Sequence, residues 1–142
     1  VILHEADFPD YFINKNHPDD FKPSREPIKE LIFHKLQDHN RLILRISVKI
    51  RQGIYIPFTF VCDTGAPSHI YLNDITKRLI QNRIFYDDSD NQVMTINGRN
   101  YSVKKSPELH KDTNIIGLLA LIRFKMYFTD NGFDFENLPD FF

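Results

Sequence analysis

Sulfur is scarce in this chain. Cys62 is the single cysteine of 142 residues, which rules out an intrachain disulfide and any thiolate metal cluster built within one chain. Long apolar runs are missing as well. The longest, Ile115 to Ile122 with Gly117 inside it, falls far short of the roughly 20 residues that span a bilayer, and no basic-then-apolar signal segment opens the sequence. A membrane is therefore not an expected partner. Charge of one sign is absent too: 18 Lys and Arg face 19 Asp and Glu, scattered along the chain, for a formal net charge of −1. No basic face for a phosphate backbone stands out, so nucleic acid is not expected.

Metal-ligand spacing is also lacking. The six histidines (His4, His17, His34, His39, His69 and His110) form no ligand pattern, and the acidic run Asp87–Asp90 lacks the Gly and the spaced Glu of a calcium loop. No metal or other cofactor is expected. The lone cysteine is compatible with a reducing compartment, and a cytoplasmic location is favoured. Val1 in place of an initiating Met reads as a cut-out domain or a processed product, whose targeting signals would lie outside the chain.

The length fits one domain with a core of useful size and is too short for two catalytic lobes. Residues 1–40 read as an N-terminal arm followed by an amphipathic helix. The arm, 1–23, has no sustained period but carries Phe8, Tyr11, Phe12 and Phe21, which calls for an apolar surface beneath it. Ser24 as a cap, Pro27 in the first turn, and Ile28, Leu31, Ile32 and Leu36 at helical spacing predict a helix over 25–38.

Residues 41–142 read as the main, mostly β domain. From Leu42 the period drops to two, giving a strand to Ile50, a Gly53 turn, and a second strand over Ile54–Cys62, in which Pro57 calls for an edge position or a bulge. A short strand over 68–72 and a helix over 73–82 follow. Val93–Ile96, Asn97-Gly98 and Asn100–Val103 predict a hairpin, because Asn-Gly is a preferred two-residue turn. An apolar helix over 118–124 and a second hairpin around Asp130-Asn131-Gly132 complete the chain. The succession strand, Gly turn, strand, Gly-terminated apolar element occurs over 46–65 and again over 93–117, as a fold of two related halves would produce.

Two motifs carry chemistry. Phe58-Thr59-Phe60-Val61-Cys62 runs into Asp63-Thr64-Gly65-Ala66, and Asn114-Ile115-Ile116-Gly117 follows, its Gly117 54 residues after Asp63. Together they resemble the retropepsin-type aspartic proteases, over roughly residues 42–137. The resemblance implies an acid-protease fold, a closed or partly open β-barrel, here with an added N-terminal helix. It implies Asp63 as the catalytic carboxylate, Thr64, Gly65 and Ala66 as support of the catalytic loop, and Ile115, Ile116 and Gly117 packed behind that loop.

The chemistry needs two carboxylates sharing a proton, and the chain supplies one. A homodimer with the site on its two-fold axis is thus implied, acting as an endopeptidase on extended peptide or polyprotein substrates. The departures from the family pattern are local. Pro67 and Leu118 stand where retroviral members carry an acidic residue and an Arg that pair near the interface. The flap that closes over substrate is reduced to about 84–92, with Asp87, Asp88, Ser89 and Asp90 at its tip, unless Gly98 marks it instead. The alternative is a catalytically inactive domain of this fold, serving dimerisation or peptide binding.

Overall fold

The computed structural model describes residues 20–35, 40–130 and 132–139. Its organising unit is a long antiparallel hairpin. Asn40–Arg51 (β2) pairs with Ile54–Asp63 (β3) from Leu42↔Cys62 down to the turn, where Gly53 takes φ +74°, a left-handed value that disfavours side-chain-bearing residues. The period of two in the sequence sorts the faces. Leu42, Leu44, Ile46 and Val48 with Ile56, Phe58, Phe60 and Cys62 point into the main core, while Ile43 and Val61 point to the opposite face.

The segment expected as a helix is a strand. Lys29–Lys35 (β1) pairs antiparallel with β2, Lys29 opposite Ile46 and Lys35 opposite Asn40. The reason is the vacant edge of β2. Ile28 N–H donates to Ser47 Oγ and Ile28 C=O accepts from Ser47 N–H, both at 2.9 Å, and the ladder continues from there, a tertiary gain that overrides helical spacing. Ser24 Oγ does accept a backbone N–H, that of Glu26 at 3.0 Å, but it caps a bend, and Ser24 itself bridges Tyr55 of β3. Phe21 lies edge-on to Phe58, ring centroids 5.8 Å apart. Phe8, Tyr11, Phe12 and residues 36–39 lie outside the described residues.

The remaining elements are Ile70–Leu72 (β4), helix Asp74–Leu79 (α1), Ile84–Tyr86 (β5), Gln92–Ile96 (β6), Arg99–Lys105 (β7), Asn114–Gly117 (β8), helix Leu118–Arg123 (α2), and the hairpin Met126–Thr129 (β9) with Gly132–Phe135 (β10). Both expected hairpins form, the first through Asn97 and Gly98 at φ 53° and 76°, as a type I′ turn requires. The helix expected over 73–82 is shorter, with Asn73 as its N-cap.

The described residues are mostly β, about half of them in strands and far fewer in helices. Eight strands form one mixed sheet in the order β1-β2-β3-β8-β4-β7-β6-β5; of the closed or partly open barrel expected from sequence, the closed form is not found, because this sheet does not close. Its edges are β1 and β5, which do not pair with each other. It nevertheless wraps one core: Phe58 and Phe60 of β3 share a cluster with Met94 and Ile96 of β6, Tyr101 of β7, and Phe133 and Phe135 of β10.

The centre of the sheet has an internal two-fold pattern. β3 and β8 are parallel, β4 and β7 are parallel, and β4 and β8 are antiparallel between them. Exchanging β2 with β6, β3 with β7 and β4 with β8 reproduces the same order reversed. The strand, Gly turn and strand of the sequence echo, β2-β3 and β6-β7, are therefore a structural repeat, whereas the counterpart of β8 is β4 at 70–72, beyond the 46–65 segment.

Pro57 sits where β3 lacks a strand on one side. β8 pairs only with Phe60–Asp63, and Pro57 C=O accepts from Phe21 N–H at 3.2 Å. In a strand the N–H and C=O of one residue point the same way, so the absent N–H of Pro57 faces that open side and leaves the β2 ladder intact. The edge expectation fits; the register shift of this hairpin lies at Lys49/Arg51.

Candidate functional site

Asp63 ends β3, and its ladder partner on β8 is Gly117. The two motifs, far apart in sequence, thus meet at one point of the sheet. Period two decides what each neighbour does. Ile116 enters the main core, while Ile115 joins Ile43, Val61 and Tyr71 on the other face, with Ala66 packed against them. Asp63 shares the face of Val61, so its carboxyl stands at the end of a small apolar cluster, and the residue is 9% exposed.

The turn after Asp63 is held by its own backbone. Gly65 N–H donates to Asp63 Oδ1 at 2.8 Å, and Ala66 N–H donates to Asp63 C=O at 3.2 Å. A carboxylate that accepts a backbone N–H is fixed in direction as well as place. Thr64 and Gly65 are exposed at the tip and Ala66 is half-buried. The next residues are tied to the start of α2: Leu118 N–H donates to Ala66 C=O at 2.7 Å, Leu119 N–H to Ser68 C=O at 3.3 Å, and Gly117 N–H to His69 C=O at 2.7 Å. These carbonyls take N–H groups that a helix start leaves without intrahelical partners. The backbones approach so closely here that only glycine fits at 117. A Cβ would overlap Ser68 C=O and lie 2.8 Å from Ala66 C=O.

Asp63 lines a cleft of about 390 Å³ together with Gly65, Ala66, Pro67, Tyr71 and Ile115, and Pro107–His110 supply the rest of its wall. No sequence motif marks that wall. Its signal was slight, an apolar Leu109 in the polar run Ser106-Pro107-Glu108-Leu109-His110-Lys111, and Leu109 is 83% exposed. A large apolar side chain that far out of the core has room to meet a ligand or a second protein.

The candidate flap is placed elsewhere. Asp87, Asp88, Ser89 and Asp90 form a tight turn between β5 and β6 at the far edge of the sheet, and none of them lines the Asp63 cleft. Asp87 Oδ1 accepts the N–H groups of Ser89 and Asn91, both at 2.9 Å, so that carboxylate stabilises its own turn. The Asn97-Gly98 tip does not line the cleft either; Asn97 Nδ2 donates to Leu138 C=O at 3.2 Å.

Cys62, one residue before Asp63, points the other way, into the main core. Burial pushes its thiol far up, and the Asp63 charge adds to the shift, so it stays a protonated packing group. Among the described residues no group of three or more His, Cys, Asp or Glu could hold a metal ion, and no helix is long and apolar enough to cross a membrane.

A polar knot behind the site fixes β8. Asn114 Oδ1 accepts Asn73 N–H at 2.8 Å and its Nδ2 donates to Thr76 Oγ1 at 2.8 Å, while Asn73 Oδ1 caps α1 by accepting Thr76 N–H at 2.7 Å. Both asparagines are buried, and each bond satisfies a group that burial would otherwise leave unpaired. Comparison with protein-family models, with curated proteins and with solved structures gives no match for this chain.

Proposed function

We propose that this chain is a retropepsin-like aspartic endopeptidase that works as a symmetric homodimer, with Asp63 of each copy forming the dyad. The observation that carries the reading is the pairing of Asp63 with Gly117, which sets a directed carboxylate at the mouth of an apolar cleft. The two-fold strand order around that pairing supports the family resemblance, since it makes the chain two related halves with one acidic loop.

Two Asp63 carboxylates a few ångströms apart would share one proton, because like charges that close do not both ionise near neutrality. The charged member takes a proton from water as it attacks the scissile carbonyl. The protonated member hydrogen-bonds that carbonyl and passes its proton on as the bond breaks. Thr64 is exposed beside Asp63, and its hydroxyl, which both donates and accepts, would bond across to the partner loop. Leu118, Leu119 and Ile122 of α2 are exposed next to that tip, an apolar surface suited to a second copy where an ionic pair is lacking. The described part of the arm pairs at Tyr55 and Pro57, toward the opposite end of β3, and leaves the tip uncovered.

One observation favours a second reading, a dimerisation or peptide-binding module without catalysis. The turn 87–90 does not line the cleft, and among the described residues no hairpin tip lines it to exclude bulk water from Asp63. The deciding experiment compares wild type with Asp63→Asn on a peptide library at pH about 4–7, alongside sedimentation. Cleavage by the wild type alone, blocked by pepstatin, is expected. Equal, pepstatin-insensitive cleavage by both proteins ends the protease reading, and a wild-type monomer at high concentration ends the shared site. A dimer that binds peptides and cleaves none establishes the second reading.

A further inference from the structure

The loop that follows Asp63 is tied to the sheet at a second place, by a side chain. His69 Nδ1 accepts the backbone N–H of Ser102 on β7 at 2.9 Å and lies 3.0 Å from Ser102 Oγ, which in turn is 3.0 Å from Ser68 Oγ. Ser68 N–H donates to the Tyr71 hydroxyl at 2.9 Å. His69 directly precedes β4, whose parallel pairing with β7 begins at Ile70↔Val103. The imidazole therefore extends that junction by one bond, beyond the point where the two backbones separate.

A backbone N–H only donates, so Nδ1 must keep its lone pair. The ring is then neutral, with its proton on Nε2. An imidazolium would set an N–H against the Ser102 N–H and break the bond. The surroundings act in the same direction: burial lowers the His69 pKa, and Arg123 of α2 and Arg99 of β7 lower it further. The ring packs edge-on to Tyr101 of β7, centroids 5.3 Å apart, and the Arg123 guanidinium covers Tyr101 at 4.9 Å.

We infer that His69 is a positioning residue: its neutral imidazole pins residues 66–69 to β7, and protonation releases them, so the loop beside Asp63 is fully held only above the His69 titration. The latch stands on its own geometry; its effect on cleavage rests on the protease reading. A shared-proton dyad requires acidity, whereas the latch requires a neutral imidazole. Cleavage is then confined to a window whose acid limit is set by His69 as well as by the carboxylates.

The folded pKa lies below the unfolded value of about 6.5, so the latch contribution to stability is complete above that value. It is lost as pH falls from there through the folded pKa, where the unfolded chain binds the extra proton.

The test uses the whole chain and two variants. In His69→Asn the side-chain carbonyl oxygen can accept the Ser102 N–H without titrating, whereas His69→Phe keeps a ring against Tyr101 and removes the acceptor. NMR from pH about 4 to 8 follows the imidazole and the amides of Ser102 and residues 66–69. Expected is a His69 titration below the ordinary value, with the Ser102 amide moving in step and its exchange rising about tenfold beyond the intrinsic pH effect. His69→Asn should abolish that dependence, and His69→Phe should show unlatched exchange throughout. A Ser102 amide that stays flat through the His69 titration overturns the latch, as does wild-type pH dependence in His69→Asn. If the amide titrates but no Asp63-dependent cleavage exists, the protease reading falls and the latch stands. If such cleavage exists with a flat amide, the converse holds.

Discussion

Gly117 lies so close to the Ser68 carbonyl that a side chain of any size at 117 must displace the loop that carries Asp63. The opposing group is backbone, so no rotamer change relieves the overlap. Gly117→Ala is expected to cost about 2 kcal/mol or more, in the range of overpacked cores, and to abolish Asp63-dependent cleavage before it abolishes folding. Urea unfolding with a peptide assay checks this; a variant of wild-type stability and activity would mean that the approach relaxes freely.

The buried cation of the sheet makes a second prediction. Arg45 on β2 lies 3.4 Å from Asp20, whose side chain is 0% exposed, and 3.1 Å from Glu30, which is about half exposed. Removing the buried partner leaves the buried guanidinium with only the half-exposed Glu30, and a solvent-screened partner contributes little. Asp20→Ala should cost about 3 kcal/mol, and Glu30→Ala less than about 1. Similar losses in chemical denaturation would contradict the difference in burial.

Asn114 ties β8 to α1 through two hydrogen bonds at 2.8 Å. Asn114→Leu fills a similar volume but leaves the Asn73 N–H and the Thr76 hydroxyl buried without it, so a loss of about 2 kcal/mol is expected. Hydrogen exchange should localise the loosening to residues 73–76 and 114–117. Uniform loosening of the sheet would show that the knot does not act locally.

On the exposed face of α2, Ile122 is 59% exposed and Leu118 lies four residues earlier, one turn away. An aspartate at Ile122 adds charge without emptying the core. Ile122→Asp is expected to leave the melting temperature within about 2 °C and to weaken self-association at least about tenfold, read by sedimentation. Unchanged self-association would place the dimer surface elsewhere.

Local chemistry made several elements legible in advance. Alternation over Leu42–Ile50 and Ile54–Cys62 placed β2 and β3, and Asn97-Gly98 and Gly132 placed the hairpin turns, because period and positive φ are written in residue type. Asn73 marked a helix start by the same logic. Ile28, Leu31, Ile32 and Leu36 misled because an amphipathic spacing over few residues also suits a strand. The pairing with Ser47 and Ile46 that decided the matter lies outside the local window.

The site divides along the same line. By itself the sequence determined that one Asp-Thr-Gly-Ala turn ends an apolar strand, that an apolar pair before Gly117 echoes it, and that a single chain brings one such carboxylate. Only the tertiary structure decided that Gly117 is the partner of Asp63, that Pro107–His110 shares the Asp63 cleft while the acidic turn 87–90 does not line it, and that the sheet stays open. Each of these depends on which backbones pair across long stretches of chain. Such pairing is governed by the collective burial of both faces of the sheet, and residue type sets only the local preferences that compete within it.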